Sequence, residues 1–329
     1  MNIAYRPALQ EDLDVLLDFQ DRKTVFPCYV GFEEPAAIRR VIKQSYMAHR
    51  ELLDQREVCP VYLAVNLDTG EPVGYLVLVA GIEETITREQ QVMVYDYYCG
   101  HGDIAGRVFD GFMDLARKTA RDKGIRYIIA EVPNKNLELE AHFTRQGFMV
   151  EMNRIVREVE HHDFDNLWQK ELQVREGNES DRMFLMLLNA QNSGFLIPSN
   201  RRASREKIQQ VYLSFYSAME IEENSMMKVL VAQDKKTFRS VGYIIIKMSV
   251  VDAVSKKPLA YIYDLNVHRD YWGKYVAQRL VREAENHMLT TRARILLGDV
   301  SHSNPRALKT AIKSLNFTLY SRRWVAEVE

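Results

Sequence analysis

The feature that most constrains the fold is an internal repeat that runs along the 329 residues. Arg6, Asp12 and Leu16 recur 169 positions later as Arg175, Asp181 and Leu185. Further on, Tyr95 and Asp96 recur 168 positions later as Tyr263 and Asp264, and Phe148 recurs 169 positions later as Phe317. A register this constant indicates duplication of a whole domain, because stacked repeats have periods of about 20 to 50 residues. We therefore predict domains at residues 1–160 and 171–329, joined by a linker at 161–170.

Each half shows the same order of predicted elements. A strand is followed by two helices, two strands, a strand and helix, a second strand and helix, and a closing strand. Asp68 to Gly70 suit a hairpin turn, and Asn304 with Pro305 suits the start of the last helix of the second half. Asn316 and Gly147 suit the left-handed residue that ends this helix in the two halves. The halves close with the similar segments RIVREVE and RRWVAEVE.

A candidate ligand site follows the apolar run that ends at Val267. A loop carrying Arg269 and Lys274 comes next, and from Val276 the apolar residues recur at helical spacing. The first N–H groups of a helix have no intrahelical partner, and the helix dipole adds partial positive charge there. This strand, loop and helix therefore suit an anion such as a diphosphate.

The segment VHRDYWGKYVAQRL at residues 267–280 resembles the diphosphate-binding motif of the GNAT superfamily of N-acetyltransferases. Ala277 fits the family pattern. Trp272 stands where the family usually has Arg or Gln, and Tyr275 stands where it has its middle Gly. A side chain at position 275 can crowd backbone that must approach a phosphate closely.

The resemblance covers nearly the whole chain outside the linker, and it implies an α/β (α+β) fold of two tandem GNAT domains. Each domain is expected to have a mixed, mostly antiparallel central sheet flanked by helices. The co-substrate implied is acetyl-CoA or another acyl-CoA, and the acceptor is a primary amine of a small molecule or peptide. No metal is implied. The expected cofactor-binding residues are Leu265, Val267, Arg269, Trp272, Gly273, Lys274, Tyr275, Val276, Ala277 and Asn304.

Acyl transfer needs a base, because an amine of the lysine type has a pKa near ~10.4 and must lose a proton before it attacks. By resemblance, Asp264 on the fourth strand is the candidate base, and Asp299 is held in reserve. A structural carboxylate satisfied by its neighbours is an equally weighted interpretation of Asp264, because Asp96 holds the same place in the first half.

The thioester oxygen needs a hydrogen-bond donor, which the family takes from the main chain and which is expected here near Asn266 or Val267. The family commonly protonates the thiolate with a Tyr on its last helix, but that position holds Ile312 or Ala311 in the second half and Phe143 in the first. Tyr320, Ser303 or water is then the expected acid.

The two halves differ at the diphosphate loop. Ten residues separate Asp96 from Gly106, whereas thirteen separate Asp264 from Ala277, so the loop of the first half is three residues shorter. Asp103 also places a negative charge beside the expected phosphates, which weakens anion binding. We therefore expect acyl-CoA in the second half and a degenerate first half.

Two further hypotheses compete with acetyl transfer. A non-catalytic CoA-binding or interaction protein with the same fold is favoured by Trp272, Tyr275 and the missing helix Tyr. Transfer of a longer acyl chain is the third possibility.

Net charge, the pattern of apolar residues and cysteine content exclude several other classes of protein. The net charge is -1, which gives no concentrated basic surface for nucleic acid or a membrane. The start of the sequence lacks a signal-peptide pattern and no segment is apolar enough to span a membrane, so we expect a cytoplasmic protein. Cys28, Cys59 and Cys99 are odd in number, which excludes a full set of intrachain disulfides.

Overall fold

A computed structural model describes residues 2–23, 35–48, 57, 59–162, 171–195, 197–224, 226–251 and 257–328. The chain forms two compact units. The first comprises residues 1–151 together with 321–329, and the second comprises residues 152–320. Cys28 and residues 163–170 of the predicted linker lie outside the described residues.

The elements follow the predicted order in both halves of the sequence. The first half contains β1 (Ile3–Pro7), α1 (Leu13–Arg22), α2 (Pro35–Ala48), β2 (Val61–Asn66), β3 (Pro72–Glu83), β4 (Gln90–Tyr98), α3 (Asp103–Asp122), β5 (Tyr127–Pro133), α4 (Leu137–Arg145) and β6 (Met149–Glu158). The second half contains β7 (Leu172–Glu176), α5 (Arg182–Asn192), α6 (Arg205–Ala218), β8 (Met227–Asp234), β9 (Ser240–Val251), β10 (Pro258–Val267), α7 (Val276–Met288), β11 (Ile295–Ser301), α8 (Pro305–Ser314) and β12 (Thr318–Glu327).

Each unit is built on a mixed, mostly antiparallel sheet, which confirms the predicted fold class. The strand order is β1-β2-β3-β4-β5-β12 in the first unit and β6-β11-β10-β9-β8-β7 in the second. The β4–β5 and β10–β11 pairs are parallel, and the other pairs within each unit are antiparallel.

The closing strands are exchanged between the halves of the sequence. β6 belongs to the first half, yet it pairs with β11 of the second unit from Met152 to Glu158. β12 ends the chain, yet it pairs with β5 of the first unit from Ser321 to Glu327. The predicted division at residues 161–170 follows the order of the chain, whereas the compact units do not.

The main helix of each unit packs its apolar face on its own sheet. In the first unit α3 contributes Phe109, Phe112 and Met113 to the core. In the second unit α7 buries Val281, Ala284 and Met288 in the same way, as the helical spacing predicted. Among the described residues, no helix combines the length and the apolar composition needed to cross a membrane.

Candidate active site

The candidate site lies where two parallel strands separate. β10 pairs with β11 only from Ala260 to Ile262, and then continues to Val267 without that neighbour. On its other side β10 pairs with β9, and the N–H of His268 donates to the carbonyl of Val241 at 2.8 Å. Because main-chain groups alternate along a strand, those of Leu265 and Val267 point away from β9 and toward the gap.

Asp264 is buried in a network of uncharged donors just beyond a bulge in β10. Its Oδ2 accepts hydrogen bonds from the hydroxyls of Tyr216 and Tyr243 and from the Nδ2 of Asn189. Its Oδ1 accepts from the Nδ2 of Asn266 at 2.8 Å. These contacts fix the carboxylate between α5, α6 and β9.

Burial raises the pKa of Asp264 above its ordinary value, and the hydrogen bonds from Tyr216 and Tyr243 offset only part of this effect. The pKa of Tyr216 is raised well above its usual range for the same reason, desolvation, with the nearby Asp264 carboxylate as the next cause. The groups that bind Asp264 are uncharged, so hydrogen bonds alone stabilise its ionised form.

The first unit repeats part of this arrangement and adds a cation to it. Asp96, which is equivalent to Asp264, accepts hydrogen bonds from the hydroxyls of Tyr75 at 2.8 Å and Tyr46 at 2.9 Å. It also forms an ion pair with the Nζ of Lys23, and both side chains are about 5% exposed or less. The aspartate of the first unit is therefore neutralised by a cation of its own chain.

Two residues of the loop before α7 have left-handed backbone. Gly273 has φ 80° and Tyr275 has φ 60°, so both residues adopt the left-handed conformation that favours glycine. The side chain of Tyr275 is 53% exposed, so the chain accommodates it by pointing it outward. Val276 is buried and begins α7, whose first N–H groups have no intrahelical partner.

Trp272 closes one edge of the gap beside β10. Its indole Nε1 donates to the carbonyl of Val267 at 2.9 Å, one of the main-chain groups that point toward the gap. The guanidinium of Arg306 lies 4.4 Å from the centre of the ring, and that of Arg269 lies 5.8 Å away. Cation–π contacts of this kind hold the indole in place.

Other predicted residues lie outside the Asp264 network. Asn304 caps α8 by accepting from the N–H of Ala307 at 3.1 Å. Asp299 accepts two hydrogen bonds from Arg154, at 2.9 and 3.0 Å, which makes it less suited to take a proton. Tyr320 lies half-buried on β12 and Ile312 is exposed on α8.

Four members of the network are absent from the sequence prediction: Asn189, Asn192, Tyr216 and Tyr243. The repeat is a signal for the two tyrosines, because Tyr75 and Tyr243 are 168 positions apart and Tyr46 and Tyr216 are 170 apart. The two asparagines have no such signal, since other residue types hold the equivalent places in the first half. Buried polar groups need partners, so a tyrosine kept beside the same aspartate in both halves indicates a hydrogen bond.

The first unit has an open cavity of about 320 Å³ at the corresponding place. The residues that line it include Tyr98, Gly100, Phe109, His142 and the buried Lys23. Burial lowers the pKa of His142, with the nearby Arg145 as the second cause, so this imidazole is neutral at pH 7.

Gly242 on β9 allows the close approach of β10 at the site. A Cβ atom there would lie 2.9 Å from the main-chain oxygen of Asn266 and 2.9 Å from Val276. We expect Gly242→Ala to destabilise the second unit by about 1–3 kcal/mol, because the added methyl forces the strand and helix apart. Urea denaturation measures the change. Gly298→Ala is the control, since its Cβ would meet nothing closer than 3.6 Å; equal effects of the two changes would contradict the prediction.

Comparison with known proteins agrees with this geometry. Residues 162–317 match the sequence model of the acetyltransferase (GNAT) family. The fold is similar to a GCN5-related N-acetyltransferase from Sphaerobacter thermophilus, with 14% identity, a TM-score of 0.56, and coverage of 99% of this chain and 96% of that one.

It is also similar to the GCN5-related glucosamine N-acetyltransferase region of a fungal multi-domain GH3 β-N-acetylglucosaminidase, with 10% identity and a TM-score of 0.52. That match covers 98% of this chain and 38% of the fungal one. A search of curated proteins by sequence found no match. Residues 162–317 therefore match the GNAT acetyltransferase family, and the chain as a whole has the fold of two tandem GNAT domains.

Proposed function

We propose that the second unit transfers an acyl group, most simply acetyl, from acyl-CoA to a primary amine of a small molecule or peptide. The observation that carries this proposal is a buried carboxylate with a raised pKa, Asp264, placed where β10 separates from β11. A base for an amine works best when its pKa approaches the working pH, and burial moves Asp264 in that direction.

The proton of the amine reaches Asp264 through a tyrosine hydroxyl in this proposal. Tyr216 and Tyr243 both donate to the carboxylate, so either hydroxyl can pass its own proton to Asp264 as it accepts one from the amine. The neutral amine then attacks the thioester carbon, and the C–S bond breaks as the new C–N bond forms. The thiolate takes its proton from Tyr320, Ser303 or water, and that group regains a proton from the nitrogen as the amide forms.

The remaining groups bind the co-substrate. Main-chain groups of Leu265 and Val267 point toward the gap, where they can pair with an amide arm or donate to the thioester oxygen. The diphosphate then lies at the loop of Gly273 to Val276, where exposed Lys274 and the start of α7 supply positive charge.

A CoA-binding protein without turnover is the second candidate. The observation that favours it is the full set of four donors on Asp264, which gives the carboxylate a structural role by itself.

Release of free thiol from acetyl-CoA in the presence of a panel of primary amines tests the proposal. We expect turnover by the native chain, together with binding of acetyl-CoA by calorimetry. Lys274→Glu should weaken that binding about tenfold or more, since it replaces attraction to the diphosphate with repulsion.

Arg107→Glu is the matched control, because Arg107 is an exposed cation near the start of α3 in the first unit. It should leave binding within about twofold if the second unit holds the co-substrate. Binding without turnover would favour the second candidate. A larger effect of Arg107→Glu than of Lys274→Glu on acetyl-CoA binding would show that the co-substrate binds in the first unit.

A further inference from the structure

The first helix of each unit ends at equivalent residues of different charge. Lys23 directly follows α1, and Asn192, 169 positions later, is the last residue of α5. Both residues are buried, with 4% exposure for Lys23 and 5% for Asn192. The difference is a positive charge in one unit and an uncharged amide in the other.

In the first unit the ammonium of Lys23 belongs to the site itself. Its Nζ forms the ion pair with Asp96 and lies 3.4 Å from the hydroxyl of Tyr75. Lys23 also lines the cavity of about 320 Å³ beside β4. An amine of the chain therefore lies against the strand aspartate, at the wall of the space where a ligand would enter.

In the second unit the same position ends a chain of hydrogen bonds. The Nδ2 of Asn192 donates to the Oδ1 of Asn266 at 2.9 Å, and Asn266 in turn donates to Asp264 at 2.8 Å and to Tyr243 at 2.9 Å. The Oδ1 of Asn192 is buried and has no hydrogen-bond partner among the described residues. Buried acceptors without partners are uncommon, so this oxygen can accept a hydrogen bond that the described residues do not supply.

We propose that the second unit binds the ammonium of a primary amine acceptor at the place that Lys23 occupies in the first unit, with the Oδ1 of Asn192 as its contact. The assignment rests on the proposed function and states which amines the site accepts. A primary ammonium has N–H donors for Asn192 and a charge that the Asp264 carboxylate attracts. A quaternary ammonium has no N–H donor and is excluded.

Asn192→Lys tests the assignment, because it gives the second unit the internal ammonium of the first. We expect turnover of primary amines to fall at least about 50-fold as the added charge fills the site, while the Kd for acetyl-CoA stays within about threefold. Asn192→Met is the control of similar length without charge. It should raise the KM for the amine about tenfold, the effect of one lost hydrogen bond, and leave the KM for acetyl-CoA unchanged.

Several outcomes overturn the assignment. One is equal turnover by Asn192→Lys and the native chain, and another is equal loss in the Lys and Met variants. If Asn192→Lys does not fold, the Met variant decides: an equal rise in both KM values, or no rise in either, rejects the site.

If the native chain shows no turnover with any amine of the panel, the proposed function is rejected. Binding of an amine can then still test the site. Calorimetry with benzylammonium in the presence of CoA then decides. Binding to the native chain but not to Asn192→Lys supports the site, whereas equal binding, or binding to neither, rejects it. Tetramethylammonium should not bind, and its binding would also reject the N–H contact.

Discussion

Asp264→Asn is expected to lower kcat/KM for the amine at least about 100-fold, because a positioned general base contributes about 10²–10⁴ to the rate. The pH profile gives a second readout. The native rate should fall as pH falls through the pKa of Asp264, which lies above its ordinary value of 3.8. The variant should lose this acidic limb, since its amide has no proton to gain in that range.

Asp299→Asn is the matched control, because that carboxylate lies on the neighbouring strand and is bound by Arg154. It should leave kcat/KM within about threefold, as expected for a residue that is not the base. Turnover by Asp264→Asn at the native rate, with an unchanged pH profile, would show that this carboxylate has only a structural role.

Lys23→Met is expected to destabilise the first unit by about 3–5 kcal/mol, because removal of one partner leaves a buried charge without compensation. The two side chains of the Lys23–Asp96 pair are 5% and 4% exposed, so solvent screens the remaining carboxylate only weakly. Urea denaturation measures the change in the free energy of unfolding.

Arg22→Met provides the control from the adjacent residue. Arg22 pairs with Asp18 on the exposed face of α1, where both side chains are more than half exposed, so its loss should cost less than about 1 kcal/mol. The double variant Lys23→Met with Asp96→Asn should recover much of the stability, since it removes both charges. A Lys23→Met chain as stable as the Arg22→Met chain would contradict the buried ion pair.

The repeat predicted that both halves share one element order, and the resemblance of the chain to the GNAT superfamily predicted the fold class. Two copies that share Tyr95-Asp96 and Tyr263-Asp264, and a Phe after the last helix, limit the arrangements that both can adopt. The similarity of the two closing segments is also the reason that the sequence did not reveal the exchange of β6 and β12. RIVREVE and RRWVAEVE have nearly the same alternation of apolar and charged residues, so either segment fits the edge of either sheet, and pattern alone cannot decide between them.

The candidate site was predicted less completely than the fold. Asp264 and Asn266 are recognisable from their place on the fourth strand, and the structure brings both into one network. Lys23 was missed because a lysine at the end of a helix is usually solvated and favoured there by the helix dipole. Its burial against Asp96 depends on α2 and β3, which contribute Tyr46 and Tyr75 from distant parts of the chain.

The exchange of β6 and β12 makes the two copies dependent on each other for folding. A fragment that starts at residue 171 lacks β6, so the main-chain groups of β11 lose their partner along seven residues. A fragment that ends at residue 160 lacks β12 and exposes β5 over the same length. Open edges of this kind promote aggregation. The first copy therefore contributes to the native sheet of the second whatever its own chemistry, because its closing strand pairs with β11.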